Sequence, residues 1–275
     1  MADHQTLYRL IQQRAEAVAD GYCLQQVMQG LSWSYVALNP VDQLSSGPGL
    51  GLSMAPAQVG LCFSASQAPR NLPWPGKLSG RKAVEILPWL QGWNPCETVI
   101  SLATANALLQ IDSPALAASS PITAHIERAI PGNLAVFAHF APQLQDANVV
   151  VIGRYPGMKV FADQFSYHCI EQNPNDGELP AAAAAEYLPA ADWVFLTASS
   201  LANKTLPTLL SYCRNANTVL LGPSLPWLQE WADFGVDYLA GVVVEDFPQL
   251  QTIVAEGGGT GIFEQAVSYR VVKFS

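Results

Sequence analysis

Charged side chains are scarce in this sequence. Asp, Glu, Lys and Arg make up 13% of its 275 residues, about half the usual share of about 25%. Either other subunits cover part of the surface, as in a homo-oligomer, or one large core dominates, and composition leaves both open. No run of Lys or Arg occurs and the formal net charge is −9. That excludes a basic track along nucleic-acid phosphates and attraction to an anionic membrane surface. No apolar stretch reaches the ~18 residues of a bilayer-spanning helix. The opening Met1-Ala2-Asp3-His4-Gln5 lacks the basic-then-apolar order of a secretory leader, so the expected location is the cytoplasm.

Thiols and imidazoles are equally thin. Cys23, Cys62, Cys96, Cys169 and Cys213 are odd in number, widely spaced and free of any CxxC pair. This argues against a disulfide framework and against a thiolate zinc or iron–sulfur site. The cysteines are expected as small core residues. None of His4, His125, His139 and His168 has metal-ligand spacing to another. His168, inside an apolar strand, is expected as a hydrogen-bonded core residue. The glycine-rich Ser45–Ser53 is not followed by the Lys-Ser/Thr of a P-loop and reads as a hairpin or strand edge. No GxSxG occurs, so an α/β-hydrolase would lack its nucleophile.

What is present is periodicity. Leu7, Leu10, Ile11, Ala15 and Val18 recur at helical spacing over Asp3–Ala19, and a strand is expected over Ser32–Asn39. A short helix is expected over Arg81–Leu87. Asn94-Pro95-Cys96-Glu97 then starts a helix with a cap, a first-turn proline and a capping-box acid. Asn106 continues that helix's apolar stripe, either as a core amide bonded to backbone or as an amide facing a cleft. Gln110–Pro121 reads as a linker, and the domains are drawn as 1–115 and 116–275.

The second half alternates apolar strands with helical segments. The strands are Val149–Gly153, Ser166–Glu171, Trp193–Ala198, Thr218–Gly222, Tyr238–Val244 and, last, Val267–Phe274. The intervening helical segments cover about 157–164, 180–188, 205–213 and 226–234. Continuous apolar strands joined by helices predict an α/β fold, a Rossmann-like doubly wound parallel sheet, preceded by a smaller α+β domain.

Such sheets bind ligands beyond the carboxyl ends of their strands. Gly153, in Gly-Arg-Tyr-Pro-Gly, occupies the first such turn but does not form GxGxxG. Glu171 ends the second strand, eighteen residues after Gly153, near the offset of a ribose-binding acid. Ser199-Ser200-Leu201-Ala202-Asn203-Lys204-Thr205 brings Ser199, Asn203, Lys204 and Thr205 to a helix start suited to an anion, or to ordinary capping. Gly222-Pro223-Ser224-Leu225-Pro226 makes a rigid turn in which Ser224 can cap the next helix.

In combination, Thr197-Ala198-Ser199-Ser200, Asn203-Lys204-Thr205, Gly222–Pro226 and Phe234–Gly241 resemble the bacterial and archaeal "putative heavy-metal chelation" family. That resemblance implies a Rossmann-like domain after an enolase-N-terminal-like one. It also implies a site between the two, with Asn106, Glu171, Asn203, Lys204, Thr205 and Ser224 as candidates. Leu225 departs from the family's Gly-Pro-Ser-Thr-Pro. Two readings stand. One is a binding protein for a divalent metal, a metal chelate or an anionic metabolite. The other is an enzyme acting on a nucleotide-, pterin- or amino-acid-like metabolite, with Lys204 holding an anion and Glu171 binding a hydroxyl or acting as base.

Overall fold

The computed structural model describes residues 4–42, 56–65 and 71–274. Helix α1 (His4–Ala19) buries Leu7, Ile11 and Ala15 as its spacing demands. Three antiparallel strands follow it in the chain: β1 (Tyr22–Gln29), β2 (Trp33–Pro40) and β3 (Gln58–Phe63). Only β2 has a clear strand signal. β1 is rich in glutamine and its pairing slips between Leu24 and Gln26. The Ser45–Ser53 segment and Asp3 lie outside the described residues.

Two 3-10 turns, Ala83–Glu85 and Leu87–Gln91, replace the helix expected over Arg81–Leu87. Pro88 sits in the first positions of the second turn, where a missing N–H is harmless. Helix α2 (Pro95–Leu108) begins as expected: the Asn94 side-chain oxygen accepts from the N–H groups of Cys96 and Glu97. Its sides are apolar nearly all round, and every residue from Thr98 to Leu108 is buried. Gly60 explains how closely β3 lies on it, since a Cβ there would stand 2.0 Å from the Ala103 carbonyl oxygen.

The expected linker is instead structured. Ser113 accepts from the Leu116 N–H and donates to the Trp227 carbonyl, which starts α3 (Pro114–Ala117). β4 (Ser120–Pro121) then pairs antiparallel with the last strand, and the Arg270 guanidinium holds Ser119 through its hydroxyl and carbonyl. Composition marks such a segment as a loop because long-range pairing leaves no local signal. Helices α4 (Ala124–Glu127) and α5 (Ala135–Phe140) lead into the large sheet.

That sheet contains β4, β5 (Val149–Ile152), β6 (Tyr167–Glu171), β7 (Leu179–Pro180), β8 (Trp193–Thr197), β9 (Asn217–Leu221), β10 (Tyr238–Val244) and β11 (Val267–Lys273). Their order is β4-β11-β10-β9-β8-β5-β6-β7. β5 through β10 pair parallel, and β11 runs antiparallel at the end, beside β4. The connecting helices are α6 (Ala184–Tyr187), α7 (Ser199–Ala202), α8 (Leu206–Tyr212), α9 (Phe247–Ala255) and α10 (Ile262–Gln265). The stretches around 157–164 and 226–234 form 3-10 turns rather than α-helices. Val150, Val194 and Leu220 enter one core, while Val149, Val151, Phe195 and Val219 enter the other. Both faces of the sheet are therefore covered, which is why its strands carry no polar alternation. The molecule is a mixed α/β protein with a large, mostly parallel sheet and a smaller antiparallel one.

Candidate functional site

The chain leaves β5 for β6 on one side and later returns to β8 on the other, so successive connections diverge between β5 and β8. Doubly wound sheets open their ligand crevice at this switch point. A cleft of about 950 Å³ lies there. Gly153 ends β5 at φ 99°, and a Cβ would stand 3.0 Å from Thr197 Cγ2. Glycine is thus needed both for the backbone angle and for packing against β8. Gly222 ends β9 at φ 115° with open space where a side chain would project.

The smaller sheet supplies the opposite wall. Phe63, 42% exposed, meets Trp33 edge-on at 5.2 Å. The Trp33 indole N–H donates to the Gly259 carbonyl at 2.8 Å, and Phe263 stacks on Tyr269 at 5.3 Å. These aromatic residues border the cleft. Local spacing could not have found them, because they come from β2, β3, α10 and β11.

Glu171 lies at the rim, with both oxygens engaged. Oε2 accepts from the Arg154 backbone N–H at 2.9 Å and Oε1 from that of Gln172 at 2.8 Å. The Arg154 side chain turns to Glu178, donating from Nε to Oε1 at 2.7 Å and from Nη2 to Oε2 at 2.5 Å. Its Nη2 also donates to the Asn173 carbonyl. The guanidinium hydrogen bonds, with help from the Asn175 N–H, lower the Glu178 carboxyl to about 2. Tyr155, next in the loop, is pushed upward by burial and stays a phenol.

The Ser199–Thr205 segment is a corner rather than an open loop. Ser199 and Thr197 hydroxyls bond each other at 2.9 Å, and Ser200 donates to the Thr197 carbonyl. The Asn203 side-chain oxygen accepts from the N–H and hydroxyl of Thr205, a local turn ahead of α8, and Thr205 itself makes no side-chain bond to the first turn of that helix. Lys204 takes a left-handed φ of 66°. Its ammonium donates to the Leu90 carbonyl and sits 3.9 Å from the centre of the Tyr8 ring. Burial lowers it to about 8. Lys204 borders the cleft, yet its charge is directed to α1 and the Leu87–Gln91 turn, which withdraws the cation from the expected anion seat.

Ser224 is buried and accepts from the Phe63 N–H at 2.8 Å. It fastens β3 to the β9 turn and does not cap a helix. Asn106 does not reach the cleft: its Nδ2 donates to the Leu61 carbonyl at 2.8 Å. Gln110, one turn on, donates to the Val59 and Asn106 carbonyls. Gly153, Glu171, Ser199, Asn203, Lys204, Thr205, Gly222 and Ser224 are thus brought around one cleft, and Asn106 is not. His168 is exposed and faces the Tyr187 ring at 4.8 Å, which corrects the expectation of a core histidine.

The donor set does not suit a metal ion held by protein side chains. All five cysteines are free, four of them buried. Burial pushes the Cys62 and Cys213 thiols up to about 12 and Cys169 to about 11, away from the thiolate a soft metal requires. Among the described residues, no three His, Cys, Asp or Glu side chains cluster to hold a metal. None of the described helices is long and apolar enough to cross a membrane.

Fold and cleft together define an α/β protein with a ligand-sized crevice at a topological switch point. A family model described as "Putative heavy-metal chelation" matches residues 135–273, and a second of the same description matches 11–109. The chain belongs to this heavy-metal chelation family. It is also similar in fold to two solved proteins of unknown function. One, from Desulfitobacterium hafniense, has a TM-score of 0.77 at 20% identity, covering 98% of this chain and 100% of that one. The other, from Pyrococcus horikoshii, has a TM-score of 0.74 at 18% identity with the same coverages. No curated protein matches the chain.

Proposed function

We propose that this protein binds a small organic molecule, or a metal already enclosed in an organic chelate, in the cleft between its two sheets. The observation that carries the reading is the cleft of about 950 Å³ at the carboxyl ends of β5 and β8, walled by Phe63 and Phe263. This volume falls within the range of ligand pockets, and such pockets combine apolar walls with a few placed polar groups. Here the polar groups are the Glu171 carboxylate and the Ser199–Thr197 hydroxyl pair. The halves on either side of the cleft are read as domains over 1–115 and 116–275, and the site as one that needs both.

A chelate reconciles the family's description with the donor set. In a chelate the organic molecule supplies the metal's ligands, and the protein recognises its shape and its hydrogen-bonding groups. Native mass spectrometry of protein purified without chelators tests this, followed by titration with free nickel, cobalt and zinc ions and with the same ions in organic chelates. The expected spectrum shows a 1:1 increment with an organic ligand or chelate, and none with the bare ions. A stoichiometric increment with a bare ion, unaffected by Phe63→Ala, would sink the proposal.

A further inference from the structure

We infer that Glu171 acts as an internal anion at the switch point, excluding phosphate-bearing ligands and selecting ligands that present hydroxyl or amine N–H donors toward β6. The inference rests on the cleft being the binding site and adds the chemical class of its ligand.

In dinucleotide-binding sheets the N–H groups following the first strand of the unit are turned to a phosphate. The matching group here is the Arg154 N–H, directly after Gly153, and it is already donated to Glu171 Oε2 at 2.9 Å. The second carboxylate oxygen takes the Gln172 N–H. The protein has therefore filled its own anion seat with a carboxylate from the end of β6.

The nearby cations do not compensate. The Arg154 guanidinium is committed to Glu178 through two parallel bonds and to the Asn173 carbonyl. The Lys204 ammonium is committed to the Leu90 carbonyl and the Tyr8 ring. A phosphate entering at Gly153 would meet a carboxylate at close range, and among the described residues both cations that border the cleft are committed elsewhere, an arrangement that opposes binding. Each carboxylate oxygen carries lone pairs beyond the single backbone bond it accepts. A hydroxyl or ammonium of a ligand can complete them, and a phosphate cannot.

Pyrophosphate is a suitable probe because it tests the seat whatever the ligand proves to be. Its affinity is measured by calorimetry for the full chain, for Glu171→Ala, which frees both N–H groups, and for Glu171→Gln, which removes the charge but keeps an acceptor. Circular dichroism confirms that each variant is folded. The expected result is no measurable binding to the parent chain, gain of binding by Glu171→Ala at least tenfold above the parent's detection limit, and a smaller gain by Glu171→Gln. Equal affinity in all three proteins, or no gain in folded Glu171→Ala, overturns the inference. If instead no organic ligand or chelate binds while Glu171→Ala gains pyrophosphate, the ligand reading fails and the role of Glu171 as internal anion stands.

Discussion

Lys204→Met removes one buried charge and keeps most of the aliphatic stem, which makes it a direct test of how this lysine is held. Burial lowers the amine from 10.5 to about 8. At about 1.4 kcal/mol per pH unit, that shift corresponds to about 3 kcal/mol. The folded pKa is depressed, so between pH 8 and 10.5 the unfolded chain binds more protons than the folded one. Lysine's contribution is therefore least favourable below pH 8 and improves as the pH rises towards 10.5. Methionine does not titrate. The stability of the parent relative to Lys204→Met should thus rise with pH, by about 2 kcal/mol between about pH 7 and pH 9.5. At neutral pH the two should be close in stability. The variant sheds the desolvation penalty, but it loses the bond to Leu90, worth about 1 kcal/mol, and the contact with Tyr8, worth about 1–2 kcal/mol. Urea unfolding of both proteins across this pH range measures the difference. Tyrosines and cysteines also titrate there, but they are common to both and cancel in the comparison. Parallel pH profiles would refute the assignment of a depressed, charge-bearing Lys204.

Asn106→Ala should lower stability by about 1–3 kcal/mol, because the buried Leu61 carbonyl loses its donor. Ligand affinity should not change, and calorimetry showing a loss of binding at unchanged stability would return Asn106 to the site. Gly153→Ala should destabilise by about 1–3 kcal/mol through its left-handed backbone, seen as a lower thermal midpoint, and weaken ligand binding by displacing the β5 turn against Thr197. Glu178→Gln should cost about 0.5–1 kcal/mol at neutral pH, a range set by the partial exposure of the pair. Because the Glu178 carboxyl is depressed to about 2, that contribution is complete above about 4.5 and fades as the pH falls through about 2. Denaturation curves of parent and variant should converge in acid.

The large sheet was legible because its burial is two-sided. Val149–Ile152 is apolar throughout, Trp193–Thr197 in all but its last position and Asn217–Leu221 in its last three, and parallel pairing follows from such runs joined by helices. The small sheet was half hidden. β1 spends three of its eight positions on glutamine, and β3 carries a glycine that exists to let α2 approach. The loops at the strand ends were found by rule. Their internal bonds were not, since a sequence does not say whether Lys204 turns toward a ligand or toward Tyr8. The apolar stripe alone leaves Asn106 open between core and cleft. The deciding fact, an edge carbonyl of β3 within reach, lies 45 residues away in the chain.

The placement of β11 has a consequence for proteolysis. Val267–Lys273 pairs along β10 on one side and with Ser120–Pro121 on the other. Removing this one strand would therefore release β4 and leave the outer edge of β10 with a row of unanswered N–H and C=O groups. A chain cleaved before Val267 would present that edge to other copies, a ready template for strand-to-strand association. One strand thus guards the parallel part of the sheet against aggregation while it anchors a segment drawn from far earlier in the sequence.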